Sequence, residues 1–436
     1  MKRLWKYVPP CLSDIQGFQD VISHTDGLGV IDDSSGYKPL NFSRRGGPGG
    51  RPGKPEGGEG RPGTWGERPG GWHGRPEGGE GRPGGHPFAG GGNPMRHGGR
   101  PGGGHGRGGG RFEGVRVVTS DIQETDAVNG TEGKVLAAFE NNQEHFQPKF
   151  ALLTCAPCAS MINTDLNDVA ERIQEKYNLP AAAVALDGQK DYLYGVSLTL
   201  EAMGKLLLEQ RETIPGAVNL LGCNTIDWPE SAVKEAEAWL TAAGFQVLTR
   251  WGAQETAENL NNAAAASINL VVNVSGLRLA RYMEQEFGIP YVVGAPFGKE
   301  QCVALLEQLK GGCVPEMENG EDAEVLILGE QLTANAIRAA LLERGWKGVK
   351  VCSFFEMDKT LMGPGDKKLV SEDELAEVLS SGSLKLVLGD TDYRLPAGES
   401  VKWTPLPNPA NNAPSASVAS VSFVNGALDR WLDENL

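Results

Sequence analysis

The 436-residue chain lacks the signals of several large protein classes. No stretch approaches the roughly 18 consecutive apolar residues of a membrane-spanning helix. The start, Met1-Lys2-Arg3-Leu4-Trp5-Lys6, runs into Pro9-Pro10 with no apolar core segment, so no secretory leader is expected. Histidine is scarce, with six in all and none after His145. Without a GxSxG elbow, and with only His24 and His145 outside one atypical stretch, Ser-His-Asp hydrolysis has little to draw on. Apolar strands end in glycine at several places, but none opens a GxGxxG or GxxxxGK(S/T) loop, so no dinucleotide or P-loop site is expected. The seven cysteines (Cys11, Cys155, Cys158, Cys223, Cys302, Cys313, Cys352) are odd in number and scattered. That pattern suits a reducing, cytoplasmic setting in which thiols are free or bind metal.

Glycine and proline, by contrast, are concentrated. Thirty of the sixty glycines fall between Arg44 and Phe112, where Lys54-Pro55-Glu56-Gly57-Gly58-Glu59-Gly60-Arg61-Pro62-Gly63 recurs almost unchanged at Arg75 to Gly84. Such a segment cannot bury enough apolar surface to offset its ordering entropy, and 45–112 reads as a disordered insert. The net charge from Arg44 to Phe112 is +7, which leaves −22 for the remainder of a chain whose total is −15. An acidic body argues against nucleic acid as a partner, although the Arg-Gly pairs with Trp65 and Trp72 resemble RNA-binding tails. His73, His86, His97 and His105 lie in the same insert, which reads as a tolerated surface loop.

Outside the insert, short apolar runs alternate with amphipathic stretches, the pattern of an α/β protein with parallel sheets. Helices are expected at Asp14 to His24, Leu166 to Tyr177, Tyr194 to Glu209, Glu230 to Ala243, Glu255 to Ala265, Leu277 to Phe287, Thr333 to Arg344 and Ser371 to Leu379. Strands are expected at Gly114 to Ser120, Phe150 to Leu153, Ala181 to Ala185, within Gly216 to Cys223, at Gln246 to Thr249, Ile268 to Asn273, within Ala323 to Glu330, and at Gly348 to Phe354 and Leu384 to Leu388. Thr25 to Gly36 is glycine-rich and acidic and reads as a solvated turn rather than a metal site.

One stretch organises the rest: Leu152-Leu153-Thr154-Cys155-Ala156-Pro157-Cys158, followed by Asn163 and Thr164 as candidate caps of the helix that begins near Asp165. Ligands of open parallel sheets collect beyond the carboxyl ends of the strands, so thiols on the first turn after a strand are placed for chemistry.

This stretch and its surroundings resemble the nitrogenase component 1 superfamily. Thr154-Cys155 to Met161-Ile162-Asn163-Thr164-Asp165-Leu166 is similar to the family's TC…IGDDL motif, and Ser120 to Gly130 to the segment that precedes it. Ala280 to Tyr291 and Pro296-Phe297-Gly298 are similar to its GIPY-type turn. The resemblance implies three Rossmann-like doubly wound domains, here 1–44 plus 113–215, 216–315 and 316–436. It also implies a second component 1 type subunit as partner and an ATP-dependent iron–sulfur reductase as electron source.

Carried over residue by residue, the family's iron–sulfur cluster ligands fall on Cys11 and on Cys155 or Cys158. The middle cysteine of the pattern falls on His24 to Gly29, where no Cys exists, with Asp32 or Asp33 as a candidate oxygen ligand. The cofactor-binding cysteine of the family falls within Val272-Asn273-Val274-Ser275, again without Cys, and its third-domain histidine has no counterpart. A dinitrogen-reducing alpha chain is thereby excluded. What the resemblance leaves is an oxidoreductase subunit that binds an iron–sulfur cluster, or a non-catalytic metallocluster assembly scaffold.

Overall fold

The computed structural model describes residues 11–34, 116–313, 319–320, 322–380, 382–397, 401–406, 410 and 422–436. By backbone contacts Met1–Gly46 and Phe112–Leu436 form one unit and Gly47–Arg111 another. The insert expected over 45–112 lies outside the described residues. Among the described residues no helix is long and apolar enough to cross a membrane.

The first sheet is built from α1 (Asp14–Ser23), β1 (Leu28–Asp32), β2 (Val117–Thr119), α2 (Asp126–Asn129), α3 (Glu132–Phe146), β3 (Ala151–Cys155), α4 (Pro157–Ser160), α5 (Leu166–Tyr177), β4 (Ala181–Ala183) and α6 (Tyr192–Leu207). Its order is β2-β1-β3-β4, all parallel. Side chains alternate across it as strand geometry requires. Leu28, Val30, Ala151 and Leu153 pack with α3 and α5, and Ile31 and Leu152 pack with α1 and α6. Both faces are therefore covered, and all five residues of β1 are buried. The reading of Thr25 to Gly36 as a solvated turn is thus corrected: its centre is an inner strand. α1 and α6 cross at contact distance because a Cβ on Gly195 would lie 1.9 Å from the Asp14 carbonyl oxygen, and one on Gly17 2.1 Å from that of Tyr192.

The second sheet comprises β5 (Ile214–Leu221), α7 (Glu230–Ala242), β6 (Gln246–Trp251), α8 (Ala257–Leu260), β7 (Ala266–Val271), α9 (Leu277–Phe287), β8 (Tyr291–Val293) and α10 (Lys299–Leu309), in the order β6-β5-β7-β8. Asn219, Thr249 and Asn269 sit in register across three strands, fully buried. Thr249 donates to Asn219 Oδ1 at 2.7 Å, and Asn219 Nδ2 donates to Asn269 Oδ1 at 2.8 Å and to the Ala263 carbonyl at 2.9 Å. The helix expected over Glu255 to Ala265 is only α8 followed by a 3-10 turn, Asn261–Ala265. Asn259 Nδ2 donates to Glu255 and Asn262 Nδ2 to Asn259, and such short polar side chains compete with the helical backbone.

The third sheet comprises β9 (Val325–Leu328), α11 (Gln331–Glu343), β10 (Val349–Ser353), β11 (Lys367–Lys368), α12 (Glu372–Leu379), β12 (Leu386–Gly389) and β13 (Lys402–Pro405), with α13 (Ala427–Asn435) at the end of the chain. Its order is β11-β10-β9-β12-β13, again parallel. One apolar cluster joins α1 and α6 to the α9 face of the second sheet, and another joins its α7 face to α11 and α13. The α/β architecture of three parallel sheets matches the expectation from sequence.

Candidate functional site

In the first sheet β1 continues to β2 on one side while β3 leads to β4 on the other, so the chain switches direction between β1 and β3. A crevice at the carboxyl ends is the consequence. Asp32, Asp33 and Cys155 stand there. Asp32 is fully buried and accepts hydrogen bonds from the hydroxyls of Ser120 (2.6 Å), Thr131 (2.6 Å) and Thr164 (3.1 Å); Thr131 and Thr164 also contact one another. Thr164 is thus committed to Asp32, and Asp165 caps α5 instead, accepting from Asn167 N and Asp168 N at 3.1 Å each. This corrects the expected cap at Asn163 or Thr164.

Two of the predicted thiols, Cys155 and Cys158, lie at this end of the sheet, and Cys11 stands apart from Asp32, beside Asp191. Cys155 is half-buried and donates to the Leu186 carbonyl at 3.1 Å. Cys158 is exposed and donates to Asp33 Oδ1 at 2.9 Å. Burial, then the charges of Asp32, Asp187 and Asp14, push the Cys155 thiol up to about 11. Burial and Asp33 push Cys158 up as well. Cys11 is half-buried beside Asp191, and burial together with that carboxylate raises it to about 11. Asp191 caps α6, accepting from Leu193 N at 3.1 Å and Tyr194 N at 3.4 Å, and stands 3.8 Å from Lys368 Nζ. The segment 186–191 therefore runs from the acceptor of Cys155 to the neighbour of Cys11.

Among the described residues no three His, Cys, Asp or Glu side chains form a group able to hold a metal ion. Thiols of the right chemistry are present, but the described residues do not fit a self-contained four-thiolate cluster. Asp32, with its hydroxyl partners, is engaged as a structural acceptor.

A second polar centre escaped the sequence reading. The second sheet switches direction between β5 and β7, the third between β9 and β12. At these ends the Asp227 carboxylate accepts from Tyr192 Oη (2.7 and 2.9 Å), Asn224 Nδ2 (3.1 Å) and Asn273 Nδ2 (2.8 Å). Glu330 accepts from Val274 N (3.1 Å), Leu332 N (3.0 Å) and Thr333 N (2.8 Å), tying the third sheet to the second. Burial first, then the charge of Glu330, lifts Asp227 to about 7. Asn273, at the place where the resemblance puts a cofactor cysteine, is spent on Asp227 and on Ser275, whose N–H (3.0 Å) and hydroxyl (2.7 Å) it accepts. Polar residues two or three positions past the ends of apolar strands (Asn224, Asn273, Glu330) were the available signal. A cavity of about 510 Å³ opens beside Val274 and Ser275.

Comparison with known proteins follows the same lines. A family model described as nitrogenase component 1 type oxidoreductase matches residues 103–325, just over half of the chain. The chain is 28% identical over 283 residues to the nitrogenase iron-molybdenum cofactor biosynthesis protein NifE of Bradyrhizobium diazoefficiens, covering 59% of this chain and 50% of that one. It is 26% identical to the nitrogenase molybdenum-iron protein alpha chain of Azospirillum brasilense, covering 53% and 49%. To a subunit of the light-independent protochlorophyllide reductase of Zygnema circumcarinatum it is also 26% identical, covering 44% and 40%. The chain thus spans about half the length, or less, of the curated relatives it matches. Its fold is shared with a solved structure titled "Nitrogenase Cp1 at pH 6.5", at a TM-score of 0.65 and 12% identity over 100% of this chain and 93% of the other. The chain belongs to the nitrogenase component 1 type oxidoreductase family.

Proposed function

We propose that the chain is a subunit of a nitrogenase-like two-component oxidoreductase, cytoplasmic and paired with a second component 1 type subunit. In it, Cys11 with Cys155 or Cys158 holds an iron–sulfur cluster whose remaining ligands come from that partner. The cluster would pass electrons from an ATP-dependent iron–sulfur reductase toward a substrate held between domains 1–44 with 113–215, 216–315 and 316–436. One observation carries this proposal: the half-buried Cys155 and the exposed Cys158 sit together at the switch point of the first sheet. Thiols so placed are accessible from outside the chain, as a shared cluster requires. Dinitrogen reduction is not proposed, since Asn273 is engaged with Asp227 and no histidine follows His145.

A second role, that of a non-catalytic scaffold for metallocluster assembly, is favoured by the likeness to a protein named for cofactor biosynthesis. Iron quantitation and electron paramagnetic resonance separate the two, on chain purified without oxygen, alone and with its partner subunit. A persistent cluster that the reductase reduces with ATP supports the oxidoreductase role, and transfer of the cluster to an acceptor protein supports the scaffold. Iron content unchanged by Cys155→Ser, Cys158→Ser and Cys11→Ser overturns the thiol ligands.

A further inference from the structure

The cavity of about 510 Å³ lies where α6, α9 with the turn before it, and the segment after β10 meet. Arg278 and Arg281 stand one turn apart on α9 and line the same wall. They are held differently. Arg281 Nη2 donates to Asp358 Oδ2 at 2.6 Å, and Asp358 caps the 3-10 turn Lys359–Leu361. The guanidinium carbon of Arg278 lies 5.6 Å from the centroid of the Tyr194 ring. Its carboxylate partner, Glu201, stands 4.0 Å away and is already bound to Lys205 at 2.7 Å. A guanidinium poised over a ring, with its carboxylate partner only at the 4.0 Å limit of an ion pair, keeps N–H donors for a planar acceptor.

The surroundings narrow the ligand. Lys205 lies 5.7 Å from the centroid of the Tyr282 ring, so the cavity's two tyrosines are each occupied by a cation of the protein, which disfavours an organic cation. Of the acidic lining residues, Glu201, Asp358 and Glu356 each pair with Lys or Arg, and Glu286 stands beside Tyr282. Leu193, Val274, Leu277 and Met357 supply apolar wall. The volume is in the range of small-molecule sites.

We propose that this cavity binds an organic carboxylate with an apolar body, the carboxylate forked on the Arg278 edge and the body against Leu193, Val274, Leu277 and Met357. That the ligand is the substrate rests on the oxidoreductase role proposed above; that the cavity binds it does not. The test titrates the full chain with pyrenebutyrate and with its neutral analogue pyrenebutanol, followed by pyrene fluorescence. The carboxylate should bind at one equivalent and about tenfold or more tighter than the alcohol, the usual gain of a charge-assisted forked pair. Arg278→Gln should erase that preference and leave the alcohol unchanged, and Arg278→Lys should retain part of it, since it keeps the charge without the fork. Arg278 is close to half exposed, and an unchanged circular dichroism spectrum verifies that the variants fold. Equal affinity for the two probes, no saturable binding of either, or a preference that survives in Arg278→Gln overturns the assignment. Neither iron nor reductant enters the assay. A chain that prefers the carboxylate but never holds iron keeps the cavity and loses the oxidoreductase role; one with a reducible cluster and no preference loses only the cavity.

Discussion

The Cys158 thiol donates to Asp33 Oδ1 at 2.9 Å and so joins residues 125 positions apart. The bond connects α4, the short helix after β3, to the residue that follows β1, and β1 and β3 are the two strands that flank the switch point of the first sheet. After burial, the larger cause, the bond also helps keep the proton on sulfur, because an adjacent carboxylate favours the neutral thiol over the thiolate.

Removing that carboxylate should therefore activate the thiol. Asp33→Ala is expected to speed alkylation of Cys158 by iodoacetamide severalfold at about pH 8, where the thiolate is the reacting form. Peptide mass spectrometry reads the rate, with the exposed Cys313 as internal reference. Equal rates in the two chains would show that the bond does not govern the thiol.

The polar ladder of the second sheet yields a stability prediction. Asn219→Val leaves the buried Thr249 hydroxyl, the Asn269 side-chain oxygen Oδ1 and the Ala263 carbonyl without their partner. The expected loss is about 2 kcal/mol, the desolvation cost of orphaned buried groups. Adding Thr249→Val removes one orphan, so the double variant should lose less than the sum of the two single changes. Urea denaturation midpoints measure all three.

How much of this was legible beforehand differs by element. α5 and α9 begin and end where their apolar spacing puts them, at Leu166–Tyr177 and Leu277–Phe287. β1 was illegible, because a strand covered on both faces has no alternation to read, and Gly27 and Gly29 imitate a turn. Gly29 is present for a packing reason: a Cβ there would lie 2.9 Å from the Phe18 ring. The Asp227 centre draws Tyr192, Asn224, Asn273 and Glu330 from four separate segments, and local pattern carries no trace of such convergence. The thiols at the end of β3 were legible from one apolar run and its position alone.

The crossing of α1 and α6 should tolerate no added methyl group. In Gly195→Ala the new Cβ meets the Asp14 carbonyl oxygen at 1.9 Å, backbone that cannot swing aside as a side chain can. A loss of about 3 kcal/mol or more is expected, at the upper end of overpacking costs. Gly244→Ala, where a Cβ would meet nothing within 4 Å but φ is +92°, is the contrasting variant. It should lose only about 1 kcal/mol through backbone strain. Thermal unfolding of both separates packing from conformational strain.

Asp227 makes stability depend on pH in a direction opposite to that of most carboxylates. Its folded-state value is raised from the ordinary 3.8 to about 7, first by burial and then by Glu330. Between those values the folded chain keeps a proton that the unfolded chain has released. The group's contribution is therefore fully present below about pH 3.8, declines as pH rises, and is lost once pH passes about 7. Asp191, raised to about 6, acts with the same sign over a narrower window. Carboxylates lowered in the folded chain, such as Asp358, which hydrogen bonds from Thr360 and then Arg281 hold down against its burial, act in the opposite sense but titrate below that range. The unfolding free energy from urea titrations should thus fall by an amount on the order of a few kcal/mol between about pH 5 and about pH 8, and the midpoints with it. Asp227→Asn removes the titrating group while its amide oxygen still accepts from Tyr192, so its midpoints should be flatter across the same range. A slope that stays the same in the variant would assign the proton to another group, and Asp227 would then be charged in the folded chain throughout.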